Sequence, residues 1–233
     1  MQFNQQCTVH ITYLGDEQVP LFIIDDLVLE PETLVDYAEQ HGAFGKQKDD
    51  FYPGLRSALP SDYVSAVIMG LQSIIAQHMT LDHKGVNPVF SAYSLTTEKA
   101  ESLAPIQCIP HFDTTDANQL AFVHYLFDKD FGGTSFYRHN KTGYTAIDQQ
   151  NCNNYMATLK TQATTVGLPE KQYILGDTEL FSLEHRVAAK FNRALLYPSN
   201  VLHSGDIDSA CELSAQPRKG RLTANLALQM MPG

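Results

Sequence analysis

The sequence predicts a mainly β protein with flanking helices, built on a double-stranded β-helix core (jelly roll, cupin-like). Three observations predict it. Two amphipathic helical stretches fall in the first 80 residues. Seven or more short strands follow residue 87, rich in aromatic and β-branched residues and punctuated by Gly, Pro, Asn and Asp. No βαβ alternation and no phosphate-cradling glycine loop interrupts the series, which excludes a doubly wound α/β sheet.

Taken in order, residues 7–13 (CTVHITY) alternate like a short strand, and 20–27 (PLFIIDDL) read as a buried one. Pro31 opens a helix over 31–44, with Glu32 at its positive end. The segment DDFYPGLRSALP reads as a turn. Ser61 and Asp62 start a second helix over 61–80, with Val64, Val67, Ile68, Leu71, Ile74 and Ile75 at helical spacing. Strands are predicted over 88–95, 120–127, 134–139, 186–191, 194–198, 201–205 and 222–230. Gly132-Gly133 and Pro198-Ser199-Asn200 are turns. The polar stretch 147–170 reads as an inserted helix and loop. The whole chain, 1–233, is read as one domain, with residues 1–86 packing on a core formed by 87–233.

Composition narrows the function. Sixteen Lys and Arg against 26 Asp and Glu give a net charge of −10, which argues against nucleic acid and an anionic membrane surface. The four cysteines are scattered with no CxxC pair, so neither a zinc knuckle nor a disulfide framework is expected. No secretory signal and no apolar run long enough for a membrane helix is visible, so the expected location is cytoplasmic. A GxSxG elbow is also absent.

Chemistry concentrates at His111-Phe112-Asp113. Side chains at i and i+2 on extended backbone point the same way, so both can reach one metal ion. His203 ends the run ALLYPSNVLH near the other end of the β region. Two histidines and a carboxylate make the facial triad of non-haem Fe(II) sites, which leaves three positions open. Arg221 and Thr223 share a face at the start of the last strand, where a guanidinium and a hydroxyl suit a carboxylate. Arg56 is read as a surface-turn residue, with an acidic-substrate contact as the lesser alternative. Tyr93, Tyr125 and Tyr137 are read as core or pocket-wall aromatics. His78, Asp82 and His83 are read as a solvated helix end, and Asn118 and Ser204 as possible supports for the metal ligands.

Together these residues resemble the Fe(II)/2-oxoglutarate-dependent dioxygenases, in texture the prolyl-hydroxylase-like branch. The resemblance is carried by PHFDTT (110–115), LAFVHYLF (120–127), GGTSFY (132–137), ALLYPSNVLHSG (194–205) and GRLTANLAL (220–228), and covers roughly residues 20–230. It implies Fe(II) at His111, Asp113 and His203, and 2-oxoglutarate held by Arg221, with Thr223 beside it. His124, on the strand after the triplet, is a further co-substrate candidate on the same grounds, with a core role as its alternative. Arg221 follows His203 by 18 residues, so Arg218 and Lys219 compete for the co-substrate contact. The implied outcome is hydroxylation of a small molecule, amino acid or peptide. Halogenation is not expected, because Asp113 fills the position that halide takes in members lacking the carboxylate. Two rivals remain: a cupin-like metal-dependent lyase or isomerase without 2-oxoglutarate, and a non-catalytic jelly-roll binding module.

Overall fold

A computed structural model describes residues 1–48, 50–78 and 83–232. Ten strands and three α-helices are seen among them: β1 Thr8–Leu14, β2 Val19–Asp25, α1 Glu32–His41, β3 Gly54–Ser57, α2 Ser61–His78, β4 His83–Thr96, β5 Gln119–Tyr125, β6 Thr134–His139, α3 Cys152–Thr165, β7 Phe181–Val187, β8 Ala194–Pro198, β9 His203–Gly205 and β10 Arg221–Pro232. The strands form two antiparallel sheets, one ordered β1-β2-β8-β5-β10-β4-β3 and one ordered β7-β6-β9.

The register of the large sheet fixes which side chains share a face. Phe22 pairs with Leu196, Leu196 with Phe122, and Phe122 with Leu226. Side chains alternate across a strand, so this row and its second neighbours form one apolar face. That face is covered by α1 through Leu34, Val35 and Ala38, and by α2 through Tyr63, Val67, Leu71 and Ile75. Full burial of each large aliphatic residue stabilises the fold by about 1.5–3 kcal/mol. The opposite face contributes Ala121, Tyr125, Leu195 and Tyr197 to a second cluster, completed by Phe136 and Val187 of the small sheet. The edge of the Phe136 ring meets Tyr197, with centroids 4.9 Å apart.

Several elements differ from expectation. The expected turn contains β3, a short strand at the sheet edge paired with β4. The strand expected over 186–191 lies earlier, at Phe181–Val187, where polar residues occupy its exposed positions. The first helix ends at His41, because the backbone turns extended at Gly42, whose N–H still completes the last helical bond to the Ala38 carbonyl. Of the His78–Asp82–His83 cluster, Asp82 and the His83 side chain lie outside the described residues. No described helix is long and apolar enough to cross a membrane.

Candidate metal and anion site between the sheets

Backbone pairing builds the metal-ligand cluster. His111 and His203 form an isolated antiparallel bridge, with N–H to carbonyl distances of 2.9 and 2.8 Å. Two residues on, the Asp113 N–H donates to the Ser199 carbonyl at 2.8 Å, which ties the carboxylate to the turn after β8. The imidazole centroids are 4.3 Å apart, and His111 Nε2 lies 3.7 Å from Asp113 Oδ1. One ligand atom from each of the three side chains falls within 4.8 Å of the others.

The His203 Nδ1 lies 2.9 Å from the Val201 carbonyl. A carbonyl only accepts, so Nδ1 carries the proton and Nε2 is left with a lone pair. His111 is half exposed within the cavity, yet the cavity walls strip bulk water from its ring. Desolvation and the adjacent His203 outweigh the attraction of Asp113 and, with Arg56, pull the His111 pKa down to about 4. The His111 imidazole is thereby suited to act as a neutral ligand.

These three residues line a cavity of about 680 Å³ between the sheets. Alternation along β10 supplies its polar wall: Leu222, Ala224 and Leu226 join the helix-side core, while Arg221, Thr223 and Asn225 face the cavity. Arg221 is only 5% exposed. One terminal nitrogen donates to the Gly133 carbonyl at 2.7 Å, and its guanidinium lies over Phe127, 5.5 Å from the ring centroid. Its Nε has no hydrogen-bond partner among the described residues. The Gly132-Gly133 turn makes the carbonyl contact possible: a Cβ on Gly133 would sit 1.8 Å from the Val187 carbonyl oxygen, and one on Gly132 1.5 Å from that of Asp206. Arg221 thus places a buried guanidinium, with an N–H unanswered among the described residues, in the cavity lining, and a guanidinium's chemistry suits a carboxylate.

Residues 5–228 match DUF6445, a family of unknown function. The chain belongs to this family. No curated protein matches it. In this DUF6445 member the sequence-predicted residues divide cleanly by position. His111, Asp113, His203, Arg221 and Thr223 meet at the cavity, although the Thr223 hydroxyl already donates to Asn225 Oδ1 at 2.6 Å. Ser204 lines the cavity, whereas the Asn118 backbone bonds β10 at the sheet's far end.

His124 is a correction. It pairs with Ala224 across β5 and β10, so it shares the helix-side face and not the cavity face. It is fully buried, with Nδ1 2.9 Å from the Tyr63 hydroxyl and Nε2 3.2 Å from Asn192 Oδ1. Desolvation lowers its pKa to about 3 in spite of the Asn192 bond, so it is a neutral core residue. Of the arginine's competitors, Arg218 is tied to Asp36, Glu39 and Glu32 on α1, and Lys219 is exposed.

Arg56 is a correction in the other direction. It lines the cavity from β3, with its guanidinium 4.3 Å from the Tyr52 ring centroid and 4.9 Å from that of Phe90. Its Nε bonds Asp50 and one terminal nitrogen bonds the Ser94 hydroxyl, both at 2.5 Å. Burial raises the Asp50 pKa, but the Arg56 bond and the Tyr52 N–H outweigh it and leave the carboxyl below its usual value. Aromatic residues at 51, 52 and 90 around an arginine were the available signal, yet they are joined only through strand pairing. The wall formed by Tyr155, Met156 and Leu159 of α3 also went unread. The stretch read as an insertion carries it.

Proposed function

We propose that this protein is an Fe(II)- and 2-oxoglutarate-dependent oxygenase, with the two facing sheets as its double-stranded β-helix. One observation carries the reading: a His-x-Asp…His cluster and a buried arginine, its Nε unpartnered among the described residues, line the same cavity. The residues fit the groups. Two imidazoles and one carboxylate suit a divalent transition metal and leave positions open. A buried, half-partnered guanidinium suits the distal carboxylate of a dicarboxylic co-substrate.

In this reading His111, Asp113 and His203 would hold Fe(II), and Arg221 would hold 2-oxoglutarate. When bound, the pair would supply, with dioxygen as the oxidant, oxidative decarboxylation to succinate and CO₂ coupled to hydroxylation of a C–H bond, one oxygen atom going to each product. The chain's own contribution is placement. Val201 fixes the His203 tautomer, and the backbone bridge between His111 and His203 sets the spacing of the rings. The Arg221 guanidinium fixes the depth at which a carboxylate rests. Ile109, Phe112 and Tyr155 exclude water from the cavity wall. Arg56, packed against the Tyr52 and Phe90 rings, orients polar groups of a substrate entering from the β3 side.

A cupin-like metal enzyme would use the same triad but has no need of Arg221. Calorimetric titration of 2-oxoglutarate into Mn²⁺-loaded, oxygen-free protein separates the two. Saturable one-to-one binding that requires the metal is expected. Stoichiometric metal without 2-oxoglutarate binding would replace the oxygenase reading with the cupin-like one.

A further inference from the structure

Beside the main cavity lies a second hollow of about 490 Å³, formed by α3, the segment after it and the short turn Pro105–Cys108. Ile106, Ile109, Met156 and Leu159 line both spaces, so hollow and cavity meet at these four side chains. Ala163 and Leu168 continue the hollow outward, and Lys160 is its single charged lining residue. Large apolar residues are left facing water here: Leu168 is 69% exposed, and Phe51, at the mouth of the main cavity, 72%. An apolar surface of this kind beside a site marks a ligand or partner face.

From this continuity we infer, resting on the oxygenase reading for the chemistry, that the substrate is an amphiphile with an aliphatic chain. The chain lies in the hollow, while the polar end faces Arg56, Asp50 and Asn225 in the main cavity. The lining decides between an alkyl chain and a peptide. A peptide main chain brings a donor and an acceptor at nearly every residue, and burying them without partners is costly. Apart from Lys160, the side chains that line the hollow are aliphatic and answer neither, whereas an alkyl chain asks for no hydrogen bond. The walls hold no ring to stack on, which favours a flexible aliphatic chain over an aromatic group. Met156, unbranched and half exposed at the junction, is suited to shift as a chain passes from one space to the other.

The test uses the whole protein, loaded with Mn²⁺ and saturated with 2-oxoglutarate so that Arg221 is occupied. Straight-chain 1-alkanols from butanol to decanol, each below its solubility limit, are the probes. Affinity should rise up to about fourfold for each added methylene until the hollow is full. Ala163→Phe, which fills the hollow, and Leu168→Asp, which charges its exposed wall, should each flatten that dependence and leave 2-oxoglutarate affinity unchanged. Leu168 is exposed, so its variant tests the proposal even if Ala163→Phe folds poorly. A length-independent response, or one that both variants leave intact, overturns the proposal. Tighter binding of a soluble leucine-rich peptide than of any alkanol, lost in the same variants, overturns it in favour of a peptide substrate. If the unmodified protein shows the chain-length dependence but never binds 2-oxoglutarate, the amphiphile site stands and the oxygenase reading falls.

Discussion

Replacing Arg221 by Met separates a ligand-binding role from a structural one. The side chain is 5% exposed, so its charge is desolvated in the folded state. Its bond to Gly133 and its place beside Phe127 answer only part of that cost, since Nε is unpartnered among the described residues. Replacing a buried charge with an aliphatic residue of similar length stabilises by about 1–4 kcal/mol. Leaving the Gly133 carbonyl without its donor costs about 1–3 kcal/mol. The two are similar in size and opposite in sign, so the ligand-free melting temperature of Arg221→Met should fall by no more than about 8 °C, given about 2–4 °C per kcal/mol at this chain length. Binding should respond very differently. Removing one partner of a buried charged pair costs about 3–5 kcal/mol, so 2-oxoglutarate affinity should fall more than about a hundredfold. Arg218→Ala and Lys219→Ala should bind as wild type. Differential scanning calorimetry and titration calorimetry on the same preparations read both quantities. Normal 2-oxoglutarate binding by Arg221→Met, with a melting temperature lowered by ten degrees or more, would refute the reasoning and make Arg221 a structural residue.

Three further outcomes follow from the same geometry. His111→Ala, Asp113→Ala and His203→Ala should each abolish stoichiometric metal binding with the circular dichroism spectrum preserved; a variant that retains its full metal removes that residue from the ligand set. His124 is neutral in the fold and charges in the unfolded chain, so its contribution to stability is complete above about pH 6.5. It is lost as pH falls toward its folded pKa of about 3, by about 1.4 kcal/mol per pH unit. Urea unfolding between pH 7 and pH 4 should therefore show a smaller acid loss in His124→Gln than in wild type, and parallel profiles would contradict this. Arg56→Ala should keep metal and 2-oxoglutarate binding but weaken binding of the substrate's polar end at least tenfold, and an unchanged substrate affinity would confine Arg56 to holding Asp50 and Ser94 in place.

Local signals account for what the sequence made legible. The strands Thr134–His139 and Ala194–Pro198 match their predicted bounds because short aromatic and β-branched runs stand between strong turn residues. Of the helices on the large sheet, α2 was visible from its spacing of apolar residues and α1 from Pro31 and Glu32 at its start. His111 and Asp113 were legible because i and i+2 on extended backbone share a side, whatever the rest of the fold does. Strand register was not legible. His124 lies on a strand whose odd positions face the cavity, and only its pairing with Ala224 shows that even positions face the helices. Arg56 sits on a four-residue edge strand whose propensity is overridden by its pairing to β4. The 18-residue spacer before Arg221 is explained by tertiary contacts: Asp206 pairs with Arg186, Ile207 is buried in the cavity wall, and Arg218 clamps the loop to α1.

If the protein is the proposed oxygenase, His111, Asp113, His203 and Arg221 together hold Fe(II) and 2-oxoglutarate. Anaerobic addition of both to the protein, followed by visible absorption spectroscopy, tests it most directly, because chelation of the metal by the keto acid gives a charge-transfer band that neither gives alone. The expected band saturates at one equivalent of each and is absent from His203→Ala. In Arg221→Met it should appear only at far higher 2-oxoglutarate. Stoichiometric Fe(II) binding with no band at any 2-oxoglutarate concentration would contradict it.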